Sequence, residues 1–274
     1  AGLSPAQTLF TFEAARITGL EDLKELLEAL NDLESEKRSY LLAAIETSDV
    51  VGADLLVGSA WWRDASKDQL DTGKAISILR FAVEVGQAWQ APKLVRAAYV
   101  AMSVIHDEYS NAPDAALSIL EEAEEVVGKN DARLLNQRAK VFLNLSRFPE
   151  ALELFERALE FGALLNVEQM FAARSGGIAA ARTGDWSRAE HLFLTGSRVA
   201  VQAENMTRMA VGLLADAAFA RWKQGKGVES LTLYSDVLKK LESIPIDNNL
   251  KNRHLHAVVG HSLLWIDHTD DADG

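Results

Sequence analysis

The sequence predicts an all-α fold, a right-handed α-solenoid of about seven antiparallel helix pairs. One observation is a motif that occurs at 146–158 and 184–196, with a weaker third copy at 225–237. Each copy is a tight turn, then a small residue, an aromatic residue four positions later and another small residue after that. The copies recur every 38 to 41 residues, as helical hairpins do in repeat proteins. A second observation is that apolar residues follow a helical period almost throughout, with no alternating strand pattern.

Start and stop signals along the chain define the predicted helices. Ser4 and Pro5 are typical of a helix start, and Thr18 and Gly19 of its end. Pro113 opens another helix. The predicted spans in the first half are 20–30, 34–47, 50–64, 72–88, 92–108 and 113–127. In the second half they are 131–145 with 148–161, 167–183 with 186–202, and 206–224 with 228–242, and after a break at 244–249 a last helix runs to about 266.

The recurring small and aromatic positions resemble those of the tetratricopeptide repeat family. Ala151, Phe155 and Ala158 fill the second-helix positions of one copy, and 75–82 and 116–123 are degenerate copies with leucine in place of the aromatic residue. Equivalent positions are 41, 35, 38 and 41 residues apart, against about 34 in the family. The resemblance therefore implies a tetratricopeptide-like solenoid with longer helices, and a concave surface lined by the first helix of each pair.

The domain organisation expected from this pattern is one helical-repeat domain over 1–274. Its repeats are clearest over 71–240, whereas 1–70 and 243–274 are degenerate or capping segments. No linker is long enough to separate two domains. The chain has no initiator methionine and ends in an acidic stretch, so we expect a module of a larger protein.

Composition narrows the classes of partner. The chain has no cysteine, which excludes disulfides and thiolate chemistry and suits a cytoplasmic location. Its net charge of −12 argues against nucleic acid or an anionic membrane as a partner. No run of apolar residues is long enough to span a bilayer. We expect no cofactor and no metal.

Patterns that suggest catalysis have simpler interpretations, so we expect a protein that is not an enzyme. The segment 71–74 resembles the end of a phosphate loop but lacks the upstream glycine and the following Ser or Thr, and it is interpreted as a helix N-cap. The acidic run at 121–125 is interpreted as a solvated helix exterior. The histidines repeating every seven residues over 254–268 are assigned to the polar face of a capping helix. Trp61 and Trp62 cannot both face one core, so one is expected to be buried and the other to lie in a groove or under a neighbouring helix. Core packing of both is favoured over a ligand contact.

A basic groove on the first helices is the predicted binding site. Charged, amide and apolar side chains alternate there at helical spacing, which suits an acidic peptide or a carboxylate terminus held by charge-assisted hydrogen bonds. The predicted groove residues are Arg133, Asn136, Lys140 and Leu143 in one repeat and Phe171, Arg174, Ile178 and Arg182 in the next.

The function predicted from these features is a scaffold that binds a protein or peptide. Two alternatives remain open at this point. One is a regulatory or sensor segment of a larger signalling protein, such as a nucleotide-switch ATPase, and the other is a helical-repeat enzyme with an unrecognised site.

Overall fold

Every regular element of the described residues is helical. The computed structural model describes residues 19–32, 53–66, 70–162, 164–203 and 206–242. The α-helices in these ranges are α1 (Leu20–Asn31), α2 (Ala53–Ser66), α3 (Thr72–Ala88), α4 (Pro92–Val104), α5 (Pro113–Val127), α6 (Ala132–Asn144), α7 (Phe148–Glu160), α8 (Asn166–Arg182), α9 (Trp186–Gln202), α10 (Thr207–Lys223) and α11 (Gly227–Glu242). The predicted spans are confirmed to within four residues for these helices. The predicted helices at 4–18, at 34–47 and up to 266 lie outside the described residues.

Side-chain caps explain where several helices begin. The Asp71 carboxylate accepts a hydrogen bond from the backbone N–H of Lys74 at 3.1 Å, which confirms that 71–74 is an N-cap. Asp185 caps α9 in the same way, accepting from the N–H of Arg188 at 3.0 Å. Each cap satisfies a donor that the first helical turn would otherwise leave without a partner. Proline occupies the first turn of α4, α5 and α7, where its missing N–H costs no helical hydrogen bond.

The turn that opens each copy of the repeated motif has one backbone conformation. Ser146, Gly184 and Gly225 have φ values of 59°, 80° and 78°, the left-handed region that glycine enters most readily. After α8, the N–H of Asp185 donates to the carbonyl of Ala180 at 3.0 Å, and equivalent bonds close the other two turns. This pattern is the Schellman ending of a helix. It reverses the chain within three residues, and in the second unit α8 packs against α9 and α10 against α11.

The chain divides into two compact units, 1–141 and 142–274. In the first unit α1 packs on α2 and α3, and α4 packs on α2, α3 and α5. In the second unit α7, α8, α9, α10 and α11 pack in sequence order, each on the next. Helices that pack on their sequence neighbours in this way form an α-solenoid, which confirms the predicted fold class. Below, "first helices" are α4, α6, α8 and α10, and "second helices" are α5, α7, α9 and α11.

Small residues allow the helices of the second unit to approach closely, as the motif predicts. A Cβ atom at Gly177 of α8 would lie 2.5 Å from Cε1 of Phe193 of α9. Ala151, Phe155 and Ala158 are fully buried. The repeated small and aromatic residues are therefore core residues that fix the architecture.

A π-helical turn extends α4 and is not predicted by the sequence pattern. It covers Ile105–Tyr109, and it ends in a bond from the N–H of Ser110 to the carbonyl of Ile105 at 2.9 Å. The turn places the ring of Tyr109 6.0 Å from that of Trp61 in an edge contact. No helix in the described ranges is both long enough and apolar enough to cross a membrane.

Candidate functional site

Arg133, the first predicted groove residue, belongs to an ion network inside the first unit. Its guanidinium donates to the Asp54 carboxylate of α2. The same Asp54 oxygen accepts from Arg96 of α4 at 2.6 Å, and Arg96 also reaches Asp131 at 3.3 Å. The side chains of Arg96 and Arg133 are only 11% and 13% exposed. The charge of Arg133 is thus balanced within the chain, and its position links three helices.

Asn136 and Lys140 follow Arg133 on α6 at the predicted helical spacing. Asn136 is 7% exposed, and its amide oxygen has no hydrogen-bond partner among the described residues. Lys140 is half-buried, and its ammonium attracts the carboxylate of Glu108 in the π-helical turn. Burial raises the pKa of the Glu108 carboxyl, and the Lys140 ammonium partly opposes that shift. These two residues lie on the same stretch of α6 as Arg133. The Asn136 side chain is buried, and the Lys140 ammonium interacts with Glu108 of the first unit.

The predicted residues on α8 have a different environment. Phe171 is 39% exposed, Arg182 is exposed, and Arg174 and Ile178 are half-buried. Neither arginine forms a hydrogen bond or ion pair with any other described residue. Spacings of three and four residues place the set along one face of the helix. In the second unit, two guanidinium groups therefore lie on a face that also carries apolar side chains, and no described residue pairs with them.

Leu143, the remaining predicted residue, is half-buried near the end of α6 and falls in the second unit. Because the predicted set is divided between the two units, the structure supports two local clusters of predicted residues, one on α6 and one on α8. The assignment of peptide binding to them stays a prediction.

Sequence reasoning missed the equivalent positions of the next repeat. Counting back from the left-handed turn residue, Lys223 of α10 corresponds to Arg182 of α8, and Phe219 corresponds to Ile178. The turn at Gly225 is a signal in the sequence that could have found them, since the turn fixes the register of the helix before it. In the third copy, the small and aromatic positions match the motif less well. The correspondence between α8 and α10 is therefore harder to recognise from the sequence.

The acidic run at 121–125 is only partly a solvated exterior. Glu122 accepts hydrogen bonds from Arg80 of α3 at 2.5 Å and from the Tyr99 hydroxyl of α4 at 2.8 Å. Glu124 is 14% exposed and pairs with Arg138 of α6 at 2.8 Å. The sequence interpretation fails for these two carboxylates because helix packing brings a cation from another helix to each of them.

Similar ion clusters join helices elsewhere in the described chain. In the second unit, Arg221 of α10 donates to Glu190 of α9 through Nε at 2.7 Å, and the Gln224 amide donates to the same carboxylate at 2.7 Å. Burial acts to raise the pKa of Glu190, but the Arg221 and Gln224 donors outweigh it and leave the pKa lowered. Such clusters bridge one helix to another, which is a packing role. No group of three or more His, Cys, Asp or Glu side chains in the described ranges has the arrangement of a metal site, and 254–268 lies outside them.

The two adjacent tryptophans point in different directions, as expected, but the expectation that both pack in the core is wrong for Trp62. Trp61 packs against the core of the first unit, whereas Trp62 is 57% exposed. Their ring centroids are 5.8 Å apart in an edge arrangement. The exposed indole lies on α2, apart from the α8 cluster in sequence and in a different unit.

The fold and the packing described above define the class of the protein as an all-α helical-repeat protein. No protein-family model and no curated protein matches the chain. Among solved structures, the crystal structure of BtubC (BKLC) from P. vanneervenii is similar, with a TM-score of 0.58 and 17% identity over 89% of this chain and 96% of that one. The crystal structure of MamA protein matches 64% of this chain and 99% of that one, with a TM-score of 0.46 and 12% identity. At 17% identity, the likeness to BtubC shows the fold alone.

Proposed function

We propose that the chain is a tetratricopeptide-like, non-enzymatic module that binds a protein or peptide through the α8 face of its second unit. The observation that carries this proposal is the pair Arg174 and Arg182. Both guanidinium groups lie on the face predicted for binding, and neither has a partner among the described residues.

Electrostatics favours an acidic partner for this face. A guanidinium forms strong, often bidentate hydrogen bonds to a carboxylate. The chain has a net charge of −12, so it contains enough carboxylates to pair with its own arginines. Other arginines of the second unit do so, for example Arg221 with Glu190 and Arg188 with Glu156. No carboxylate of the described residues pairs with Arg174 or Arg182, which favours an external carboxylate as their partner.

The contrast between the units supports the α8 face over the α6 face as the binding surface. On α6, Arg133 already pairs with Asp54, so an external carboxylate would have to displace a half-buried one. That displacement costs desolvation of the existing pair. On α8 no such competitor is present among the described residues.

Binding rather than catalysis is proposed because the described titratable clusters bridge helices. The Asp54, Glu122 and Glu190 carboxylates each accept hydrogen bonds from side chains of other helices. A carboxylate held in this way stabilises packing and is occupied by its own partners. We also propose a cytoplasmic location, which the lack of cysteine suits. The net negative charge disfavours nucleic acid or an anionic membrane surface as a partner.

The test compares two variants that remove the same amount of charge. Arg174→Gln/Arg182→Gln alters the α8 face, and Arg198→Gln/Lys239→Gln removes two exposed cations from the second helices α9 and α11. Arg198 bonds only within its own helix, to the Leu194 carbonyl and the Thr195 hydroxyl. Equal helix content by circular dichroism establishes that both variants are folded.

Wild-type protein and both variants are immobilised and exposed to extract from the cells that make the protein, and the captured proteins are quantified by mass spectrometry. We expect the wild type and the control variant to retain the same proteins in a salt-sensitive way, and the α8 variant to lose them. Equal capture by all three proteins would contradict the proposal.

A further inference from the structure

The pattern of an apolar and a basic residue near the end of α8 recurs on α10, which is the next first helix. In α8, Ile178 precedes Arg182 by four residues, and Arg182 lies two residues before the left-handed Gly184. In α10, Phe219 precedes Lys223 by four residues, and Lys223 lies two residues before the left-handed Gly225. We call Ile178 and Phe219 the apolar row, and Arg182 and Lys223 the basic row. Each row takes one residue from each of two consecutive repeats.

Aromatic contacts hold the end of α10 against the turn that follows α8. The ring of Phe219 lies 5.9 Å from that of Trp186, the first residue of α9, in an edge contact. The Gln224 amide donates to the backbone carbonyl of Trp186 at 3.1 Å. Trp186 follows Arg182 by four residues, so these contacts place the end of α10 beside the turn that joins α8 to α9.

Lys223 is placed by aromatic rings rather than by a carboxylate. Its ammonium lies 5.4 Å from the ring centroid of Phe219 and 5.2 Å from that of Trp222, a cation–π arrangement. It forms no ion pair with a carboxylate of the described chain. The basic row therefore carries two exposed cations, each without a carboxylate from the described part of the chain.

From this arrangement we infer that the partner is a segment that carries acidic and large apolar side chains together, with carboxylates on the basic row and apolar groups on the apolar row. The inference rests on the proposed function and specifies its ligand. Ile178 and Phe219 are both half-buried. An acidic polymer without apolar groups would leave their remaining exposed surface in water, and binding gains from covering that surface. An apolar segment without carboxylates would desolvate Arg182 with no compensating hydrogen bond, which is unfavourable.

The experiment uses three fluorescein-labelled peptides of equal length, and fluorescence anisotropy with the full chain measures their binding. One peptide alternates glutamate and leucine, the second alternates glutamine and leucine, and the third alternates glutamate and serine. We expect the glutamate–leucine peptide to bind most tightly and to be weakened by salt, because exposed charges are screened.

Substitutions in the chain assign the binding to the two rows. Arg182→Gln and Lys223→Gln are each expected to weaken the glutamate–leucine peptide roughly fivefold, the upper range for an exposed ion pair. Ile178→Thr is expected to weaken it as well, and to have no effect on the glutamate–serine peptide. Arg198→Gln serves as the charge-matched control and is expected to leave the affinity unchanged. Thermal unfolding of each variant checks that the fold is intact.

Three results would overturn the inference. Equal affinity of the glutamate–serine peptide would show that the apolar row does not contribute. Unchanged affinity in both Arg182→Gln and Lys223→Gln would show that the peptide binds elsewhere. Suppose that none of the three peptides binds, but Arg174→Gln/Arg182→Gln still abolishes capture from extract. That result would reject this ligand class and leave the proposed function standing. If no peptide binds and the variant also captures the same proteins as the wild type, both proposals are rejected.

Discussion

Replacing Gly177 with alanine is expected to destabilise the second unit, although alanine is the better helix former. The new Cβ would lie 2.5 Å from Cε1 and 2.7 Å from Cδ1 of Phe193, about 1 Å inside the optimal separation of two carbon atoms. Phe193 is only 6% exposed, so its ring has little room to move. Overpacking of this kind costs about 1–3 kcal/mol, whereas removing a glycine from a helix interior contributes about 0.5–1 kcal/mol. We therefore expect a net loss of about 0–2.5 kcal/mol in the free energy of unfolding, rather than the gain that removing a glycine would otherwise give.

Gly58 provides the matched control, because it lies inside α2 and a Cβ added there would have no atom of a neighbouring described element within 4 Å. Gly58→Ala should stabilise the chain by about 0.5–1 kcal/mol. Urea unfolding followed by far-ultraviolet circular dichroism measures both variants. If Gly177→Ala stabilised the chain as much as Gly58→Ala does, the close approach of α8 and α9 would be refuted. A loss of stability in Gly58→Ala would show that the reasoning from free space is wrong.

Three further predictions concern the charged and hydroxyl groups that bridge helices. Asp54→Asn removes the carboxylate shared by two arginines, and urea unfolding should show a loss of about 1–3 kcal/mol, as for other half-buried donors left without an acceptor. Glu190→Gln should lower stability at neutral pH by urea unfolding. The difference from the wild type should shrink as the pH falls below the ordinary value of 4.5, because the unfolded carboxylate then takes up a proton before the folded one does. Burial and then Glu122 raise the pKa of Tyr99 to about 12, so the stability that this phenol contributes is lost as pH rises from about 10 to 12. Unfolding of Tyr99→Phe across that range should show a smaller loss than that of the wild type.

The sequence by itself determined the helices, the repeat and the residues that fill the core. Helical period, caps and turns are local properties, so they place each described helix to within four residues. Ala151, Phe155 and Phe193 are buried as the motif predicts, because a stacked pair of helices needs small and aromatic residues at those spacings. The sequence pattern did not predict the π-helical turn, because periodicity alone does not show one extra residue in the last turn of a helix.

Only the tertiary structure decided which of the predicted arginines pair with carboxylates of the described residues. Arg133 and Arg182 are both arginines on first helices, and the sequence pattern predicts the same groove position for each. Packing brings Asp54 to Arg133 from 79 residues away, whereas it brings no described carboxylate to Arg182. Neutralisation of a charge depends on distances of a few ångströms between residues that are remote in sequence, and those distances exist only once the helices have packed.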